Sequence, residues 1–166
     1  INPPNISASG SHGLAAVTWQ WTVSYNANGG SGAPPNQTKT YGSNLTLSST
    51  KPTRFGYTFK GWATSPTGGV SYTPGSAFGV DATTTLYAVW EINKYTVGYN
   101  ANGGSGAPAS QMKTYGVNLI LSSTKPIRTN YNFLGWATSQ NASAPQYAPG
   151  ATYINNESVT LYAVWN

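Results

Sequence analysis

Tyr57-Thr58-Phe59-Lys60-Gly61-Trp62 returns later in the chain as Tyr131-Asn132-Phe133-Leu134-Gly135-Trp136, and the sequence on either side of each copy returns with it. On a strand the Tyr and Phe of each copy, two residues apart, point to one face, and the Gly-Trp that follows bends the chain so that a large ring covers that face. We read Tyr57, Phe59, Trp62 and Trp90, with Tyr131, Phe133, Trp136 and Trp165, as the cores of two small domains. None of these side chains exchanges a proton near neutral pH, holds a metal or attacks a carbonyl.

The repetition is extensive. Thr22 to Ser65 and Thr96 to Ser139 are identical at 33 of 44 positions, which marks tandem copies of one module. A slightly larger offset realigns the module ends, Leu86-Tyr87-Ala88-Val89-Trp90 with Leu161-Tyr162-Ala163-Val164-Trp165. The chain therefore divides into an extended N-terminal segment with the start of the first strand (1–21), repeat module 1 (22–90), a linker (91–95) and repeat module 2 (96–166). So short a linker predicts an elongated pair with limited bending.

Within a module the signals are those of strands and turns. Val17, Trp19, Trp21, Val23 and Tyr25 alternate with polar residues, the strongest strand pattern in the chain. Asn26 to Gly32 and its twin from Asn100 supply residues that tolerate positive φ, so a wide turn follows. Gly56 is replaced by Asn130 in the second copy, and both are cheap in the left-handed region, so a positive-φ turn is expected before each repeated Tyr. Pro52 and Pro126 cannot donate to a sheet, so their segments should cross the surface as connections, with room for one short helical turn. Leu86–Trp90 and Leu161–Trp165 are apolar on both faces, as central strands are.

With 6 Trp, 12 Tyr and no Cys, modules of about 70 residues must draw stability from rings, because no disulfide is available. Thiol catalysis and Cys-based metal sites are excluded. Only 7% of residues are charged, and eight scattered Lys and Arg give a net charge of +5. They form no groove-lining run, so no nucleic acid partner is expected. No apolar stretch approaches the roughly 18 residues of a membrane span, which argues against membrane insertion. The chain opens at Ile1 rather than Met, which we read as removal of a leader and hence secretion.

The acids are Asp81, Glu91 and Glu157, and none recurs between the copies, since Asp81 aligns with Asn156 and Glu157 with Ala82. A paired-carboxylate hydrolase has no foundation in such a set, and His12 stands alone among Ser and Gly. A self-formed Lys-Asn crosslink lacks a shared acid to promote it. We expect no enzyme, cofactor or metal. Asn5, Asn36, Asn44, Asn141 and Asn156 each begin an N-glycosylation acceptor pattern, and glycans would help an exterior so poor in charge.

Taken together, Tyr-Asn-Ala-Asn-Gly-Gly at 25 and 99, Lys-Pro at 51 and 125, the two aromatic Gly-Trp stretches and the two Leu-Tyr-Ala-Val-Trp ends make a chain that resembles the Listeria-Bacteroides repeat family, which includes the B-repeat of internalin B. The resemblance covers Thr22 to Trp90 and Thr96 to Trp165. It implies a mainly β protein of two small tandem β-grasp-like modules with little or no helix, used on secreted and cell-surface proteins for spacing, adhesion or partner contact. The expected function is a non-enzymatic extracellular structural protein, a stalk or filament subunit. Carbohydrate or receptor binding within a larger adhesin is the alternative. Leu14-Ala15-Ala16-Val17-Thr18-Trp19 loosely echoes the module-closing strand, so the N-terminal segment could add a strand to a neighbouring copy and build a head-to-tail polymer. Ile6, Leu14, Val17, Trp19 and Trp21 are the assembly candidates. The partners expected are the chain itself, other surface proteins and glycans.

Overall fold

The alternating stretches become strands and the glycine-rich stretches become turns. The computed structural model describes residues 18–166 in full and residues 5–7 as backbone. They fall into two compact units, Ile1–Glu91 and Ile92–Asn166. Among the described residues every regular element is a strand, and the connection after Leu47 contains no helical turn. Leu14, Val17 and His12 lie outside the described residues.

Unit 1 carries β1 (Asn5–Ser7), β2 (Thr18–Asn26), β3 (Gln37–Thr40), β4 (Leu45–Thr46), β5 (Tyr57–Ala63), β6 (Ala77–Phe78) and β7 (Thr84–Ile92). Its main sheet places β2 and β7 side by side and parallel, with Tyr25 opposite Leu86. β3 runs antiparallel along the other edge of β2, and β5 lies outside β7. A parallel pair needs a long crossover, and the segment from β3 to β6 supplies it. First and last strands parallel at the centre, flanked by the second and third, is the β-grasp arrangement that the resemblance implies.

Unit 2 repeats this order with β8 (Lys94–Asn100), β9 (Gln111–Thr114), β10 (Leu119–Ile120), β11 (Phe133–Ala137), β12 (Thr152–Tyr153) and β13 (Val159–Trp165). β13 and β8 are the parallel pair, with β9 antiparallel to β8 and β11 antiparallel to β13. In each unit a two-stranded sheet, β4 with β6 or β10 with β12, supplies further core residues in place of a helix. Leu47, Phe78 and Trp62 close on Val23, Tyr25, Leu86 and Ala88 in unit 1. Leu121, Tyr153 and Trp136 do the same over Val97, Leu161 and Ala163.

Strict alternation would put Phe59 and Trp62, three residues apart, on opposite faces. Their rings nevertheless meet in one core, with centroids 5.0 Å apart. The phase is reset at the intervening glycine, which adopts φ +149° at Gly61 and +145° at Gly135, and in unit 2 the ladder to β13 shifts register between Phe133 and Gly135. A β-bulge turns the following side chain to the other face. No other residue fits: a Cβ on Gly61 would stand 2.6 Å from Val70 Cγ1 and 2.8 Å from the Tyr72 carbonyl oxygen. The result is a chain of edge-on rings, Tyr25, Trp62, Phe59 and Trp90, repeated as Tyr99, Trp136, Phe133 and Trp165.

Gly56 and Asn130 both take positive φ, +78° and +63°, before the repeated tyrosines. One core assignment is corrected. Tyr131 is 46% exposed, and Tyr57 is only half-buried, because each ring lies under an arginine rather than among the apolar side chains. Pro52 and Pro126 are buried rather than on the surface, since Thr53 and Ile127 pair with Ser31 and Ser105 and draw the connection inward.

Candidate functional site

Three constellations of polar side chains recur in both units. The first surrounds a lysine. Lys39 and Lys113 occupy inward positions of β3 and β9 and are 1% exposed, a burial that a lysine sustains only with partners for its ammonium. Lys39 Nζ donates to Asp81 Oδ1 at 2.5 Å and to the Thr40 carbonyl at 2.7 Å. In unit 2, Lys113 Nζ donates to Asn156 Oδ1 at 2.8 Å and to the Thr114 carbonyl at 2.9 Å. Each partner also receives a backbone N–H, from Gly42 or Gly116. One unit thus holds its lysine with a carboxylate and the other with an amide. Among the described residues Lys113 has no carboxylate in ion-pair range, so the acid a Lys-Asn crosslink needs is missing from the pair.

The Lys39 hydrogen bond, with a smaller contribution from the Gly42 N–H, holds the Asp81 carboxyl below its ordinary value. A depressed folded pKa stabilises unit 1 above the unfolded carboxylate pKa of about 3.9, and the contribution disappears as pH falls through the lower folded value. Asn156 cannot titrate. Asp81→Asn should therefore lower the stability of unit 1 at neutral pH, and by less at acid pH, where the parent's carboxylate is increasingly protonated. Residue-resolved NMR of denaturant unfolding at both pH values checks this, and unit 2 should not change at either. A constant offset at both pH values would refute it.

Tyr25 and Gln37, with Tyr99 and Gln111, form a second pair of matched networks. Each tyrosine donates to the glutamine Oε1 and accepts the backbone N–H of Ser48 or Ser122 at 3.0 Å. Burial pushes both phenols up, so they stay neutral at ordinary pH and act as struts rather than bases. Among the described residues no three His, Cys, Asp or Glu side chains converge to hold a metal.

The remaining constellation lies at the glycine-rich turn. Asn28 (φ +48°) and Gly29 (φ +88°) take left-handed conformations. Asn28 Nδ2 pins the turn by donating to the carbonyls of Pro66 and Ala88 at 2.8 and 2.9 Å, and Trp90 Nε1 donates to Ala27 O at 3.0 Å. Unit 2 repeats these bonds from Asn102 and Trp165. Against this turn stands Arg54, its Cζ 3.9 Å above the Tyr57 ring, as Arg128 stands 3.8 Å above Tyr131. Open clefts adjoin both arginines, about 250 Å³ beside Arg54, Asn28 and Trp90, and about 420 Å³ beside Arg128, Gly103 and Ser105. The sequence places Arg54 and Arg128 at equivalent positions, each three residues before a repeated tyrosine, but it does not show that they stack there without an acid.

The other sequence candidates are spread out. Ile6 is in β1, whose backbone pairs with β2 of the same chain, Ile6 opposite Trp19. Trp19 is 46% exposed, while Trp21 is half-buried with its ring 6.1 Å from that of Tyr41. Asn36, Asn44 and Asn141 are exposed outside the strands. Asn156 is exposed too, but its Oδ1 is committed to Lys113; Asn5 lies in β1. Trp62 and Trp136 are fully buried, and Phe59, Phe133, Trp90 and Trp165 pack partly buried against the two cores.

Among the described residues no helix is long and apolar enough to cross a membrane. The chain is 35% identical over 153 residues, 88% of its length, to a provisionally named membrane protein of Evansella cellulosilytica, and 41% identical over 123 residues to a provisionally named Gly-rich membrane protein of the same organism. Internalin H of Listeria monocytogenes is 32% identical over 115 residues, 69% of the chain. The matched regions make up only 22%, 14% and 20% of these relatives. No solved structure matches the chain. The Listeria-Bacteroides repeat domain matches residues 21–89 and again 95–164, one match for each strand-and-turn module described above, and the chain belongs to that family.

Proposed function

We propose that this chain is a non-enzymatic structural segment of a secreted, cell-surface protein, in which tandem modules space and present contact surfaces. The observation that carries this reading is that both units place the same rings in the same core, Trp62 and Trp136 at 0% exposure, while the three acids of the sequence fall at unrelated positions. Side chains repeated for packing and not for chemistry suit a module whose product is a shape. The surface location rests on the kinship with internalin H and with proteins named for the membrane. Exposed Asn36, Asn44 and Asn141 are available for glycans in a host that makes them.

Self-assembly is the finer form of the reading. Among the described residues β1 is joined to β2 by three residue pairs, Asn5 to Gln20, Ile6 to Trp19 and Ser7 to Thr18. The same strand supplied by a neighbouring copy would make the same ladder, and exchange of this kind runs head to tail. Antibody labelling of intact source cells, followed by negative-stain microscopy of the released material with and without residues 1–14, tests both parts. Surface label is expected, with filaments from the intact chain and single particles from the truncated one. Label confined to the cell interior refutes the location, and filaments from both chains or from neither refute strand exchange.

A further inference from the structure

Like buried Lys113, but at the surface, Arg54 and Arg128 are held in place without a counter-ion among the described residues. Asp81 is taken by Lys39 and Glu91 by Lys60 at 3.0 Å, and Glu157 Oε1 receives Asn155 Nδ2. Neither guanidinium donates to a protein acceptor among the described residues. Each is nonetheless fixed, with a tyrosine ring under one face and the glycine turn at its side. A Cβ on Gly29 or Gly103 would come within 3.4 Å of the arginine Cζ. Stacking uses the face of a guanidinium and leaves its in-plane N–H fork, the part that binds carboxylate or sulfate, free to act.

The surrounding segment has drifted between the copies while this pair has not. Thr53, Phe55 and Gly56 have become Ile127, Thr129 and Asn130, yet the arginine and the tyrosine three residues on are unchanged. A purely local brace for the turn would not need a guanidinium with an unused fork, since the turn is already pinned by Asn28 or Asn102.

We infer that each module carries one anion-binding site, Arg54 on Tyr57 and Arg128 on Tyr131, and that the ligand is an acidic polysaccharide. Two equivalent sites on tandem modules suit a polymer that repeats one anionic group, whereas a peptide of mixed sequence would present a different side chain to each. The inference rests on the cell-surface reading above, and it supplies that reading with a ligand class. One face of each tyrosine is taken by the arginine, so the charged fork rather than the ring is the group the inference assigns to recognition.

Isothermal titration of the full chain at low salt, with heparin, polygalacturonate, poly-L-glutamate and dextran as probes, tests it. Heparin or polygalacturonate should bind, with dextran silent and poly-L-glutamate weaker. Arg54→Gln or Arg128→Gln should each weaken binding about tenfold, as expected for a lost charge-assisted contact. Lys51→Gln with Lys125→Gln, which removes the same charge per module, should change it less than about threefold. NMR shifts at Tyr57 and Tyr131 of the unaltered chain on adding heparin locate the site without relying on a variant's folding. Equal losses in the lysine and arginine variants, shifts elsewhere, tighter binding of poly-L-glutamate, or no binding of either polysaccharide would overturn the inference. None of these outcomes touches the surface labelling on which the structural reading depends, so the two can fail separately.

Discussion

Trp62→Ala should unfold unit 1 and Trp136→Ala should unfold unit 2, each leaving the other unit folded. Both indoles are fully buried and each touches two further rings, Tyr25 at 4.9 Å and Phe59 at 5.0 Å in unit 1. Truncating a buried Trp removes roughly 200 Å² of apolar contact, about 5 kcal/mol at ~25 cal/mol per Å², and measured losses for such changes run about 3–5 kcal/mol. A module of about 70 residues without disulfides has only about 3–5 kcal/mol in hand. The unit therefore has nothing left. Phenylalanine is the informative companion. Among the described residues Trp62 Nε1 and Trp136 Nε1 are buried without a hydrogen-bond partner, so Trp62→Phe loses ring volume but also removes an unsatisfied donor, and should cost only about 1–2 kcal/mol. Urea unfolding followed by residue-resolved NMR checks both. A loss below about 1 kcal/mol for the alanine variant would show that the ring chain does not hold the unit together.

That prediction draws on a part of the fold that was legible without coordinates, and the reason is periodicity. The period-2 pattern and the repeated Gly-Trp fix which rings go inward, and duplication tests every inference twice. What escaped reading were the places where pattern and partner separate. Lys39 sits at an inward strand position and is 1% exposed, although a lone lysine in a sequence carries no sign of a buried partner. Only the fold brings β3 next to Asp81, 42 residues away in the chain, and shows that the ammonium is satisfied inside. Tyr131 sits two residues before Phe133 and reads as core by alternation, yet Arg128 covers it from the preceding turn. Trp19 continues the apolar face of β2, but the strand runs beyond the sheet's buried stretch, where Val23 is 0% exposed and Trp19 46%. The arginine sites were illegible for a related reason: a cation is recognised as unpaired only when the positions of all possible partners are known.

Gly30→Ala and Gly104→Ala are the other large losses we expect, and they separate steric from conformational demand in the turn beside the arginines. Gly30 does not need a left-handed backbone. Its problem is space: a Cβ there would lie 2.6 Å from the Thr53 carbonyl oxygen and 2.6 Å from Trp90 Cζ2, and at Gly104 the distances to Ile127 O and Trp165 Cζ2 are 2.5 and 2.6 Å. Neither neighbour can retreat cheaply. The Thr53 carbonyl accepts the Ser31 N–H at 2.8 Å, Thr53 N–H returns a bond at 2.9 Å, and Trp90 is tied to Ala27 through its indole. Relief requires opening this bridge or tilting the indole out of the ring chain, so the cost should be about 3 kcal/mol, the upper part of the usual range for overpacking. Gly32→Ala is the control. That residue takes φ +73° with open space around its Cα, so alanine meets only the left-handed penalty of about 1 kcal/mol. Because Arg54 follows Thr53 directly, the Gly30 variant should also lose the Tyr57 chemical-shift signature of the stacked guanidinium, and the Gly32 variant should keep it. Equal destabilisation by the two variants, or an unchanged Tyr57 signal in the first, would mean that the turn and the arginine are not mechanically joined and that the site is not built by the glycine-rich loop.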